Sequence, residues 1–136
     1  KLIGNDDIYN ILVTAHADMN TVFMVMPLMM DSYGNSLVPL MLSAPHTPFP
    51  RMNNHSSSLV PPSHVVLLLS NIIGSGTGTG STHYPPHSSI IGHNTPPADL
   101  SIFVVEHAGI SSITAVINFI TPILNMHPKT STLNFI

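Results

Sequence analysis

At 136 residues the chain has the size of one domain rather than two, and only 7% of it is charged, against about 25% in a typical soluble domain. Three basic side chains against six acidic ones form no basic patch, which excludes recognition of a nucleic-acid backbone. The lack of cysteine excludes disulfide scaffolds, thiolate metal sites and thiol catalysis.

A soluble surface of this size needs more charge to stay dispersed. The composition therefore favours a membrane setting, with 43% hydrophobic residues in moderate support. The opening KLIGNDD has no apolar core followed by a small-residue cleavage site. It is expected to continue a longer sequence rather than to be a signal peptide.

In chain order, the first apolar segment covers about residues 8–41 and is interrupted by Asp18, Asn20, Asp31, Pro27 and Pro39. It is long enough to span a bilayer. Each aspartate, however, costs about 2.5–3.5 kcal/mol at a helix centre. The joint APHTPFPRMNNH is rich in proline and asparagine, so residues 42–58 are expected to form an irregular loop. The second segment, about residues 59–73, reads LVPPSHVVLLLSNII and is short for a span. Residues 74–99 hold GSGTGTGSTHYPPHSSIIGHNTPP, expected to be a surface excursion.

The third segment, about residues 100–126, is uncharged from His107 onward. Ser111, Thr114, Asn118, Thr121 and Asn125 recur at spacings of three and four and define one polar stripe on a helix. Ile110, Ile113, Ile117, Ile120 and Leu124 define an apolar stripe beside it. In a soluble protein the polar stripe faces water; in a membrane bundle it turns inward. Pattern alone does not choose. With three spans, Arg51 and Lys129 fall on the same side, as the positive-inside rule requires. The expected fold is all-α: a membrane helical bundle segment of about three transmembrane helices joined by irregular loops.

Several short words occur in a fixed order: DDIYN, VTAHA, FMVMP, YGN, LVPLM, FPRMNN, LVPPS, GTG, YPP, DLSIF, HAGISSI and INFIT. In order and spacing, from about Gly4 to Met126, they resemble the early part of the core subunit of the haem–copper oxidases, the family of cytochrome c oxidase. The resemblance implies electron transfer from cytochrome c to oxygen coupled to proton pumping. It implies a multi-pass protein of the mitochondrial inner membrane or the bacterial plasma membrane. The partners would be the other helices of the oxidase core, other oxidase subunits, membrane lipid and, for the whole complex, cytochrome c.

On matching positions His16, in TAHA, would be an axial ligand of the low-spin haem a. Met19, Asn20 and Phe23, at i+3, i+4 and i+7, would share its face, with Asp18 nearly opposite. Taken as a residue type alone, such a histidine is more often a hydrogen-bonded side chain in a packed helix. A proton route from the inner side would use Asn35, Asn53, Ser111 and Ser112, whose amides and hydroxyls hold water without trapping a proton. Asp6, Asp7 and Tyr9 match an outer-side stretch by position only. The copper ligands, the ligands of the oxygen-reducing haem and the other low-spin ligand belong to later helices in the family. The chain is therefore expected not to be active alone.

The departures from the family pattern are polar. His46 stands where the family has an aspartate at the mouth of the proton route. Ser36, Ser58 and Ser81 replace tryptophans, Asp31 and Ser32 a glycine pair, and Asp18 and Asn20 bulky apolar residues. Glu106 and His107 stand where the family histidine comes one position earlier.

Two other readings stay open. One is a polarised or non-functional fragment without activity. The other is a His-rich metal-binding segment, with His83, His87 and His93 converging on Zn²⁺ or Cu²⁺. A hydrolase lacks its G-x-S-x-G elbow. GSGTGTG lacks the Lys and Ser/Thr that follow the glycines of a phosphate loop.

Overall fold

The structure, a computed structural model, describes residues 4–73, 76–92, 96–126 and 128. Three long helices carry it: α1 (Asp6–Met41), α2 (Pro50–Ile72) and α3 (Pro96–Asn125). Among the described residues there is no strand.

Helix α1 starts where Asn5 caps it, the Asn5 side-chain oxygen accepting from the Asp7 N–H at 3.0 Å. Asp6 and Asp7 in the first turn complement the positive end of the helix dipole. Its middle is wound as π-helix over Met19–Val25 and Leu28–Gly34, on either side of Pro27. A proline removes one N–H from the ladder and crowds the preceding turn; the wider winding carries the helix past it without a break. The C-terminus closes on Ser43, at φ 53°. The Ser43 N–H donates to Leu40 O at 3.2 Å and the Ala44 N–H to Pro39 O at 2.9 Å, the paired bonds of a Schellman stop.

Helix α2 begins at Pro50, inside the stretch expected to be loop. The expected loop 42–58 is therefore confined to the residues before Pro50. Pro50 occupies the first turn, where its missing N–H has no partner to lose. The serines that follow bond to their own helix, Ser57 to Asn53 O at 3.2 Å and Ser58 to His55 O at 2.9 Å. Pro61 and Pro62 lie inside the helix without ending it, because packing against α3 along the same length holds the backbone. Helix α3 likewise starts ahead of the expected residue 100, with Pro96, Pro97 and Asp99 in its first turn.

The tightest packing is between α2 and α3, and its seam is made of small and polar side chains. On α3 the buried positions are Pro97, Ala98, Ser101, Val104, Ser111, Ala115, Asn118 and Pro122; with Ala98 set aside, half-buried Ala108 fills the one gap. The spacing alternates four and three. On α2 they are Ser56, Ser63, Leu67 and Ser70. A repeat of about 3.5 residues keeps one seam facing its partner at a shallow left-handed crossing, and small side chains let the backbones approach.

The large apolar side chains point the other way. Ile110, Ile113, Ile117, Ile120 and Leu124 are 42–63% exposed, whereas Ser111 and Asn118 are buried and Thr114 and Thr121 half-buried. Only Asn125, at the helix end, is exposed. In water each half-exposed Ile or Leu forgoes about 1 kcal/mol of burial free energy. Summed over α3 alone, that reaches the scale of a whole domain's stability, about 5–15 kcal/mol. In hydrocarbon nothing is forgone. The choice the sequence left open thus resolves inward for the polar stripe, as in a membrane bundle.

By length and composition α1 and α3 can cross a membrane. Helix α2 has the length, with 23 residues, but its N-terminal half, RMNNHSSS, is too polar to qualify. On that measure two spans, rather than about three, lie among the described residues. Lys129, the second charge of the orientation argument, lies outside them. The second half of α1 leans on α3 through Gly34, where an added Cβ would come 2.7 Å from Phe119 Cζ.

Candidate functional site

His16 lies on the face of α1 that opens into a cleft of about 640 Å³ between α1 and α2. Leu12, Val13, Met19 and Asn20 of α1 and Leu67, Leu68 and Asn71 of α2 line it, with Tyr9 at its edge. The Asn20 amide donates to His16 Nε2 at 3.0 Å. In that arrangement the imidazole is neutral at Nε2 and carries its proton on Nδ1. The site is thus a basic ring nitrogen, paired with a weak amide donor, in a cleft of mostly apolar walls whose volume falls in the range of about 300–1,000 Å³ usual for ligand sites.

Met19 and Asn20 share this face, as their spacing from His16 predicts. Phe23 does not: its ring packs edge-on against His64 of α2, centroids 5.2 Å apart. The reason is the π winding that begins at Met19. With more residues per turn, i+7 no longer returns to the face of i. Asp18 is buried on the side away from the cleft.

Asn53 and Ser111 belong to a second polar region, in the α2–α3 seam and at the end of it near the loop before Pro50. Ser56 and Ser111 bond reciprocally across the seam. Ser56 Oγ donates to Ser111 O at 2.8 Å, and Ser111 Oγ to Ser56 O at 2.7 Å. Toward the loop, the Phe49 N–H donates to Asn118 Oδ1 at 3.1 Å, while the Asn53 N–H donates to Phe49 O at 3.0 Å. Asn35 reaches the same end from α1, beside the Gly34–Phe119 contact, and donates from Nδ2 to Asp31 O at 2.7 Å.

Each of these three amides keeps one buried atom without a partner: Asn35 Oδ1, Asn53 Oδ1 and Asn118 Nδ2. Buried polar groups are otherwise almost always bonded, and bound water is the usual partner where protein supplies none. Ser112 stands apart. It donates to Ala108 O at 2.9 Å and lines a void of about 20 Å³ shared with Val22, Phe23, Met26 and Val60, room for about one water.

Two residues the sequence reading did not place in this region belong to it, Ser56 and Asn118. The signal for Asn118 was present, since it lies one heptad beyond Ser111 on the polar stripe. The signal for Ser56 was hidden in a stretch expected to be loop.

His46 is exposed, its Nδ1 donating to Thr47 O at 2.8 Å. His83 lies 2.9 Å from Ser101 Oγ, and His93 lies outside the described residues. Among the described residues no three of His, Cys, Asp or Glu gather as a metal site would require.

Fold and site together define a class: a helical segment of a membrane protein, with a polar seam inside and a histidine opening on an apolar cleft. Residues 1–136 match the family described as Cytochrome C and Quinol oxidase polypeptide I, and the chain belongs to that family. It is 43% identical over 133 residues, 98% of its length, to cytochrome c oxidase subunit 1 of Eremothecium gossypii. It is 44% identical over 125 residues, 92% of its length, to that of Candida albicans. To that of Yarrowia lipolytica it is 43% identical over 125 residues, again 92% of its length. The matches cover 25%, 24% and 23% of those proteins, so the chain spans about a quarter of the curated relatives it matches.

Proposed function

We propose that the chain forms part of the catalytic subunit of a cytochrome c oxidase. It contributes one axial ligand of the low-spin haem a and part of an inward proton route. The observation that carries this reading is the place of His16 in the wall of the apolar cleft, its Nε2 bonded to the Asn20 amide and to no stronger donor.

The residues present suit a haem. His16 would hold the iron, Leu12, Met19, Leu67 and Leu68 would flank the macrocycle, and the apolar walls would keep water from it. When bound, the haem supplies reversible one-electron transfer. Asn20 must release Nε2 for ligation, and its amide is then free to bond elsewhere in the cleft. The second low-spin ligand, the copper ligands and those of the oxygen-reducing haem come from parts of the family fold beyond these residues. The chain is not active alone.

Asn35, Asn53, Asn118, Ser56 and Ser111 do the second job. Their hydroxyls and amides hold water in register along a seam with no strong base to trap a proton, and the three orphaned amide atoms are where that water binds. Ser112 adds one water site nearer the centre of the bundle. The setting is the mitochondrial inner membrane, or the plasma membrane of a bacterium. The partners are the remaining helices of the oxidase core, the other oxidase subunits and, for the whole complex, cytochrome c.

The test is haem titration of the detergent-solubilised chain followed at the Soret band, parent against His16→Ala. A saturable shift lost in the variant supports the ligand role. No shift, or one the variant shares, removes it and leaves a polarised fragment without activity.

A further inference from the structure

Between α2 and α3 the chain returns along the first half of α1, from Gly76 to His83. An added Cβ at Gly76 would sit 2.8 Å from Ile11 Cγ2, and one at Gly78 3.0 Å from Asn10 Cβ, so this segment lies directly on the helix. Gly76 and Gly80 stand at φ 68° and 76°, the left-handed region that glycine enters without strain. At the second of these turns the Gly80 N–H donates to Thr14 Oγ1 at 3.0 Å. Three residues on, His83 Nε2 lies 2.9 Å from Ser101 Oγ on α3. Ser101 already gives its proton to Ala98 O at 2.9 Å, so its oxygen accepts from His83 Nε2–H. One short segment is thereby bonded to α1 and, beyond it, to α3.

Thr14 is buried and its hydroxyl is used twice. It donates to Asn10 O at 2.8 Å, which locks the side chain against its own helix, and it accepts from Gly80. Asn10, Ile11 and Thr14 lie at i, i+1 and i+4, on one face of α1. Each helix residue turns about 100° around the axis, which sets His16 about 200° from Thr14. His16 therefore lies on the opposite face, with Tyr9, Leu12, Val13 and Asn20 along the cleft. The other helices meet this first half of α1 only sparsely. Helix packing alone does not set how it is turned about its axis; the contact from Gly76 to Gly80 does.

We propose that Thr14 is a positioning residue: by holding residues 76–83 against one face of α1, its hydroxyl sets the rotation that turns His16, on the opposite face, into the cleft. What this positioning serves rests on the reading of His16 as a haem ligand. A turn of the helix by the angle of one residue, about 100°, takes the imidazole out of the cleft altogether. Valine at position 14 keeps the shape of threonine and neither of its hydrogen bonds, whereas serine keeps both.

The experiment compares the full chain in detergent with Thr14→Val, Thr14→Ser, Gly78→Val and the combination of Thr14→Val with Gly78→Val. Haem affinity is read at the Soret band. Rotation is read without haem: because the chain has no cysteine, His16→Cys and Leu68→Cys, on facing walls of the cleft, take a pair of nitroxide labels whose separation is measured by dipolar spectroscopy. Thr14→Val is expected to shift or broaden that separation and to lower haem affinity about fivefold, the net worth of one ordinary hydrogen bond. Thr14→Ser is expected to keep the parent separation and an affinity within about twofold. Gly78→Val, which pushes the segment off Asn10, is expected to act as Thr14→Val does, and the combination to lose no more than the worse single, because both cut one contact. A Thr14→Val chain with the parent's separation and affinity, a Thr14→Ser chain no better than Thr14→Val, or losses that add would overturn the proposal. Should Thr14→Val lose helix by circular dichroism, Gly78→Val, which leaves the bonds within α1 alone, decides by the same two readouts. A parent without a saturable Soret shift sinks the haem reading, and the label separations then decide the positioning of residue 16 by themselves.

Discussion

Replacing Ile113 by lysine tests the inside-out arrangement most directly. Ile113 lies near the middle of α3 and is 63% exposed. In water, a substitution at such a surface position away from any cap or pair shifts stability by about 0.5 kcal/mol or less. In a bilayer the same position faces hydrocarbon. Near a helix centre isoleucine contributes about −0.3 to −0.6 kcal/mol to insertion and lysine about +2.5 to +3.5, a difference of about 3–4 kcal/mol. That corresponds to a change of more than a hundredfold in the inserted-to-uninserted ratio, since each 1.4 kcal/mol is about tenfold.

The assay is the fraction of chain that inserts across vesicles, read by protease protection, for the parent and Ile113→Lys. Asn125→Lys is the control, at an exposed helix end where a long cation reaches the interface. Ile113→Lys is expected to abolish most protection and Asn125→Lys to leave it nearly unchanged. Equal protection in all three chains would refute the outward assignment of the isoleucine stripe, and with it the inward assignment of the serines and asparagines.

Other consequences follow from the packing. Ser43→Gly is expected to raise stability by about 1 kcal/mol, because a side chain in the left-handed region is strained and glycine is not; a higher melting midpoint in detergent checks it. Gly34→Ala is expected to cost about 1–3 kcal/mol through the Phe119 ring, with Phe119→Leu recovering part of the loss in the same melt. In a double-mutant cycle, Ser56→Ala and Ser111→Ala are expected to cost about 0.6–1.7 kcal/mol each, the range of interhelical hydrogen bonds in membranes. They should couple, since each hydroxyl donates to the other residue's carbonyl. Asn20→Ala is expected to tighten haem binding severalfold in the Soret titration, because the amide that competes for His16 Nε2 at 3.0 Å is gone.

Local chemistry made much of this legible in the chain alone. The charge deficit pointed to lipid. The apolar segments marked the helices, and the three-and-four spacing from Ser111 to Asn125 marked one face of the third helix. The ordered family words singled out His16. The boundary at Pro50 was misread because proline and asparagine were counted as breakers without regard to position. A proline in the first turn forfeits no hydrogen bond, and Ser56 is held by α3 rather than by local propensity.

What the tertiary structure alone decided concerns direction and partnership. The hydrogen-bond periodicity of one helix puts Ser111 and Asn118 on one stripe but does not say whether that stripe meets water or another helix. The close approach of α2, allowed by Ser56, Ser63 and Ser70, turned it inward. Phe23 left the face of His16 because the turn widens past Met19, and a spacing rule built on the α-helix cannot register a change of pitch imposed by Pro27. Most remote of all is the bond from the Gly80 N–H to Thr14 Oγ1, across 66 positions, with His83 meeting Ser101 18 positions on. Both form only because α1, residues 76–83 and α3 fold side by side, and no pattern within any one segment contains those contacts.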